Sequence, residues 1–166
     1  MKTKIAKTVL FSSVILLALM LSSLGDVSFA QAKKALPPIK IGIVQSLSGM
    51  VSDYALEDLE GFRVKIGEIN DRGGVMTKEG RRKIDLLVRD DMLKPDVAVK
   101  NAKELILERK CDFLVGCISS GVLLAVSEWC RENKVLLWAW DARTHHATQS
   151  RGHRYFFRSA GDTWMN

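Results

Sequence analysis

The sequence predicts an α/β fold, a doubly wound parallel sheet, on two observations. Short β-branched apolar runs alternate with amphipathic stretches of helical period, and Pro, Gly and Ser punctuate the changes from one to the next. Ile39–Gln45 (IKIGIVQ) is bounded by Pro38 and a Ser/Gly loop and reads as the first strand. From Tyr54 to Asn70, Ala55, Leu59, Phe62, Ile66 and Ile69 recur at spacings of four and three, which makes one apolar helical stripe. Ser52 or Asp53 is placed to cap that helix, and Gly73-Gly74 to end it. Lys83–Arg89 reads as a second strand, and Pro95 opens a helix with Ala98, Ala102, Leu105 and Ile106 facing inward. Asp112–Val115 is a third strand, Gly121–Asn133 a third helix, Val135–Trp140 a fourth strand and Tyr155–Arg158 a fifth extended piece.

Residues 1–30 have a different character. A Lys-led start, an apolar run over Val9–Leu24 and the small-residue stop Ser28-Phe29-Ala30 read as a secretory signal peptide cleaved after Ala30, which places the rest outside the cytoplasm. Residues 31–38 form a short polar leader. The formal charge is +6, of which Lys2, Lys4 and Lys7 against Asp26 supply +2, leaving +4 on the remainder. Acids and bases alternate along Glu57–Lys65 and Lys100–Lys110 as on solvated helix faces, a pattern without the clustered stripe of a nucleic-acid footprint.

In an open parallel sheet, ligands bind in the crevice beyond the C-terminal ends of the strands. Ser46–Asp53, Asp90–Lys94, Gly116–Ser120 and Asp141–Gly152 are the loops at that edge. Ser119 and Ser120 sit where the third helix begins. There, unpaired N–H groups and a partial positive charge favour a carboxylate or similar anion, unless Ser120 simply caps its own helix.

The segments IKIGIVQSLSG, EINDRGGV, KIDLLVRDD with PDVAVKNAKELI, DFLVGCISSG and YFFRSAGD, in this order, resemble the N-terminal lobe of periplasmic substrate-binding proteins of ABC importers, in the leucine/isoleucine/valine-binding (type I) group. The resemblance runs over residues 39–166. It implies a two-lobed clamshell that captures a small polar or carboxylate-bearing solute, such as an amino acid, in the periplasm. The solute would pass to a membrane permease and its ATPase, with no chemistry and no cofactor. Carried over by position, it implies ligand contacts at Ser48 and Tyr54 after the first strand, Ser119 and Ser120 after the third, and Asp141, Arg143 and Thr144 after the fourth. Asp141-Ala142-Arg143-Thr144 departs from the small residue, Ala, Thr/Ser pattern of amino-acid-binding members. Arg143 suits a bidentate carboxylate or phosphate, or else pairs with Asp141. Tyr54 covers a ligand or packs locally, and Trp138 and Trp140, on one face of the fourth strand, point to core packing ahead of ligand stacking.

Three cysteines in an exported chain allow one internal disulfide, for which Cys111 and Cys130 are topologically placed; the rival reading is three reduced, buried thiols including Cys117. His145, His146 and His153 lack metal-ligand spacing. There is no GxSxG, P-loop or GxGxxG, so an enzyme ranks below a transporter component and below the alternative, an extracellular ligand-sensing domain of a receptor or regulator. Because the chain stops four residues after Asp162, the resemblance also implies a truncated first lobe, with an unprotected sheet edge and exposed apolar surface prone to association.

Overall fold

The computed structural model describes residues 35–163 and 165; the signal-peptide reading and the first half of the leader lie outside them. Five parallel strands form the sheet, in the order β4-β1-β5-β6-β7. They are β1 (Ile39–Gln45), β4 (Ile84–Asp90), β5 (Phe113–Gly116), β6 (Leu137–Ala139) and β7 (Phe156–Arg158). Helix α1 (Ser52–Asp71) follows β1. Helix α2 (Pro95–Lys103) follows β4 and runs into a π-helical turn at Glu104–Glu108, and α3 (Ser120–Asn133) links β5 to β6. A small antiparallel hairpin, β2 (Val75–Thr77) with β3 (Gly80–Arg82), sits between α1 and β4.

The doubly wound architecture is the one expected from the alternation of runs. The register of β1 with β4 pairs Ile41 with Leu86 and Ile43 with Val88, so one face of the sheet is a continuous apolar layer that receives Leu59 and Ile66 of α1. The opposite face buries Val44, Leu114 and Leu137 under Ala98, Ala102 and Leu105 from the α2 segment and Val122, Leu123 and Val126 of α3. Small side chains on α2 bring that helix close to the strands. Gly42 is part of the same fit, since a Cβ there would stand 2.8 Å from Leu114 Cδ2 and 3.1 Å from Leu105 Cβ.

Several local expectations change in detail. Neither Ser52 nor Asp53 caps α1: both lie inside its first turn, Val51 is the capping residue, and the Ser52 hydroxyl donates instead to the Gly49 carbonyl at 2.8 Å. The helix does end at the Gly pair. Gly73 and Gly74 adopt φ +89° and +87°, and their N–H groups close on Asn70 and Ile69 carbonyls. A side chain at Gly74 would also meet the Arg82 carbonyl oxygen at 2.1 Å, which docks the hairpin on the helix end. Strand β6 is shorter than Val135–Trp140 because Val135 N–H returns to the Cys130 carbonyl as part of the α3 stop at left-handed Lys134. Cys111, Cys117 and Cys130 are free and buried, so the bridge between Cys111 and Cys130 gives way to three thiols packed in the α2/α3 core.

Candidate functional site

All the loops that follow parallel strands emerge at one edge, and three of them are tied together there. Asp90 and Asp91 close β4 and bind the loop after β1: Asp90 Oδ1 accepts from Leu47 N–H and Met92 N–H, both at 2.9 Å. Asp91 Oδ1 accepts from the buried Ser46 hydroxyl at 2.5 Å and from Leu93 N–H at 2.9 Å. Burial acts to raise the Asp90 carboxyl, but the Ser48 hydroxyl and the surrounding N–H donors outweigh it and hold Asp90 below the usual range. Asp91 lies deeper, and burial pushes it up despite the Ser46 bond. Ser48 is thus an exposed residue that braces Asp90 at the rim.

Further along the edge, a cleft of about 480 Å³ opens between the start of α1, the start of α3 and the segment after β6. It is lined by Tyr54, Glu57, Asp58, Ile118, Ser120, Asp141 and Arg143. Four of the seven residues expected from sequence therefore converge. Tyr54 is 70 % exposed and so stands over the cleft with little local packing, and Arg143 makes no ion pair with Asp141 or with any other described residue. Ser120 is the first residue of α3, and Ser119 is its cap in extended backbone with no side-chain capping bond. Ser119 and Thr144 occupy the same edge without lining the cleft, and the Thr144 carbonyl accepts from Arg158 at 2.7 Å.

Glu57 and Asp58 were not anticipated. They lie on the polar flank of α1, one turn beyond Tyr54, and nothing in a solvated-looking charge pattern distinguishes them from surface acids; only the approach of Asp141 from the β6 loop does. Partial burial and repulsion from Asp141 push the Asp58 carboxyl up, with the Trp140 indole N–H acting in the opposite sense. That N–H is buried and completes no hydrogen bond among the described residues. The cleft thus offers one guanidinium without an ion pair among the described residues, the N–H groups of a helix start, an exposed aromatic ring and three carboxylates, a set that can grip a small molecule bearing both signs of charge.

The segment carrying Arg143 is fixed from behind. Arg158 and Asp162 form an ion pair at 2.6 Å with side chains only 5 % and 7 % exposed, and Arg158 also donates to Thr144 and Thr148. Thr163 N–H then reaches the Arg143 carbonyl at 3.1 Å. The histidines are separately engaged, His146 with Ser150 and His153 with Ser127. Among the described residues no group of three His, Cys, Asp or Glu side chains is arranged to hold a metal ion.

The sequence and the fold have counterparts among known proteins. The chain is 33% identical over 110 residues to a Leu/Ile/Val-binding protein of Rhizobium johnstonii, covering 66% of this chain and 29% of that one. It is 29% identical over 141 residues to a leucine-specific-binding protein of Salmonella typhimurium, covering 82% and 36%. Among solved structures, it is similar to a branched-chain amino acid transporter substrate-binding protein of Streptococcus pneumoniae in complex with isoleucine (TM-score 0.67, 25% identity, 75% of this chain and 34% of that one). A second is an ABC-type branched-chain amino acid transporter of Rhodopseudomonas palustris (TM-score 0.65, 29% identity, 75% and 33%). The chain thus spans about a third of the length of these relatives. The family profile described as periplasmic binding protein matches residues 38–166, from the residue before β1 to the last residue of the sequence, so sequence and sheet topology agree over all the described strands and helices: this chain belongs to the periplasmic binding protein family.

Proposed function

We propose that residues 39–166 form the N-terminal, ligand-receiving lobe of a solute-binding protein that serves the permease and ATPase of an ABC importer in the periplasm and performs no chemistry. In this reading residues 1–30 direct export and are removed after Ala30, so that the exported protein begins at Gln31. The observation that carries the proposal is the cleft at the C-terminal edge of the sheet, where unpaired Arg143 and the start of α3 at Ser120 face exposed Tyr54. Support also comes from the relatives, which are named binding proteins for leucine, isoleucine and valine. The ligand is a small molecule with a carboxylate for Arg143 and the α3 N–H groups, and Asp58 with Asp141 adds a place for an amino group. A nitrogen-15 NMR titration with L-isoleucine and with benzoate tests this. Shift changes should concentrate at Tyr54, Ser119 to Gly121 and Arg143, and Arg143→Ala should weaken binding by roughly tenfold, the worth of a charge-assisted hydrogen bond. Changes confined to another surface would refute the assignment of the cleft. N-terminal sequencing of exported protein that began at Met1 would refute the processing.

A further inference from the structure

Trp138 and Trp140 leave the end of β6 on the same side, yet their N–H groups serve different partners. Strand alternation sets both rings towards α1, with Ala139 between them in the core on the α3 side. Trp138 N–H donates to the Ser159 hydroxyl at 3.2 Å, just beyond β7, and so fastens β6 to its neighbouring strand. The Trp140 N–H is buried, and its effect falls on Asp58 of α1, whose carboxyl it draws down.

Asp58 and Phe62 are one helical turn apart and share a face of α1. Trp140 meets both. Its ring packs on Phe62 with centroids 4.6 Å apart and planes inclined at 44°, while its N–H acts on the carboxyl one turn earlier. One side chain thus ties the segment after β6 to α1 at two points, immediately before Asp141 and a few residues before Arg143. Asp58 and Asp141 both line the solute cleft, and their repulsion opposes that closeness; burial of Asp58 and the charge of Glu57 beside it on the helix act in the same sense. The remaining titratable groups around Asp58 do not offset this. Lys65, further along α1, is engaged by Glu68 at 2.9 Å, and Tyr54 and Arg143 line the cleft without an ion pair to Asp58. The donor that favours the Asp58 carboxylate therefore comes from Trp140.

We propose that Trp140 is a positioning residue of the cleft: its ring, seated on Phe62, and its N–H, directed at Asp58, hold that carboxylate beside Asp141, so that the pair receives the amino group of the ligand and sets the preference for amino acids over simple acids. This rests on the solute-binding reading of the cleft. Packing alone does not account for the arrangement, since a phenyl ring would serve Phe62 equally well and Trp138 already fastens β6.

The test follows the Asp58 carboxyl by carbon-13 NMR through a pH titration of the 166-residue chain without ligand, and measures affinities for L-isoleucine and benzoate by calorimetry. Trp140→Phe keeps a ring on Phe62 and removes the N–H. The Asp58 midpoint should move up, and the isoleucine-to-benzoate affinity ratio should fall roughly fivefold, the scale of one N–H donor to a carboxylate. Trp138→Phe removes an N–H on the same sheet face and should move neither reading. In the Asp58→Asn background Trp140→Phe should lower the ratio no further, because the two residues act through one group. An unmoved Asp58 midpoint, an equal effect from Trp138→Phe, or additive effects in the double variant overturns the proposal. Should Trp140→Phe fail to fold, Asp58→Asn at its exposed helix position carries the comparison: it should shift the Trp140 indole N–H resonance, and an indifferent resonance overturns the arrangement. Failure of the parent chain to bind either ligand refutes the solute-binding reading and the amino-group role with it, whereas the ligand-free titration still decides whether Trp140 holds Asp58.

Discussion

Replacing Arg158 by Ala should be among the most damaging single changes in the protein, and its cost follows from what the guanidinium touches. It holds Asp162 at 2.6 Å, with both side chains more than nine-tenths buried, and also donates to the Thr144 carbonyl at 2.7 Å and the Thr148 hydroxyl at 3.2 Å. Truncation removes the guanidinium from a buried ion pair, and taking one partner out of such a pair costs about 3–5 kcal/mol. Arg158→Lys separates charge from geometry. A single ammonium preserves the ion pair but not the fork that serves three acceptors, so about 1–3 kcal/mol should be lost with the two hydrogen bonds. Urea unfolding followed by circular dichroism measures both. Because Thr163 N–H, one residue past Asp162, holds the Arg143 carbonyl, amide exchange at Thr163 should accelerate in both variants. A loss below about 1 kcal/mol for Arg158→Ala, or a Lys variant as stable as the parent, would show that the pair is not the fastening it looks to be.

Three further outcomes follow. Gly116→Ala places a Cβ 1.9 Å from the Val44 carbonyl oxygen at φ +139°, so overpacking and backbone strain together should cost more than about 3 kcal/mol, whereas Gly67→Ala, with open space around it on α1, should change stability by no more than about 1 kcal/mol, in the stabilising direction. The hydrogen bonds from Arg89 and Arg109 hold the Glu104 carboxyl down at about 2, against 4.5 unperturbed; the stability it contributes is therefore present above pH 4.5 and is lost as pH falls towards 2, and Glu104→Gln should flatten that part of a stability-against-pH curve. Burial pushes the Cys130 thiol up to about 12 and the Cys117 thiol well above its ordinary value, so neither should react with iodoacetamide at pH 8 in the native protein, and all three thiols should be alkylated in guanidinium; an intact mass two daltons low would mean a disulfide instead.

The parts of the fold that are legible in the sequence are those with a period. The stripe Ala55, Leu59, Phe62, Ile66, Ile69 locates α1 within two residues at each end, and Pro95 marks the first residue of α2 because a missing N–H costs nothing there. What escapes is short or non-local. The β2–β3 hairpin has three residues on each side, too few to show a period of two, and its pairing depends on Gly74 fitting against Arg82. The capping of α1 goes to Val51 because Ser52 spends its hydroxyl on the turn before it. The Cys111–Cys130 bridge does not form: chain order can bring two thiols into one core but does not set the Cα separation a bridge needs, and the three cysteines stay free and buried in the α2/α3 core.

The cleft shows the same division more sharply. Edge topology nominates the loops that hold Ser120, Asp141 and Arg143, and the family resemblance picks out those residues within them together with Tyr54. Glu57 and Asp58 are invisible by that route, because they sit inside α1 and join the site only when the β6 loop crosses to them. Their presence changes the electrostatic reading of the whole set. Arg143 alone describes an anion site; Arg143 with three carboxylates in the same cleft describes one where a bare anion meets repulsion and a ligand that also carries a positive group does not. Burial is the first cause that raises the Asp58 carboxyl and repulsion from Asp141 the second, and a cationic group arriving between Asp58 and Asp141 would relieve the repulsion. Under the proposed function, loss of that repulsion would add to binding, so the cleft should favour zwitterions over simple acids, an expectation that the titrations with L-isoleucine and benzoate check.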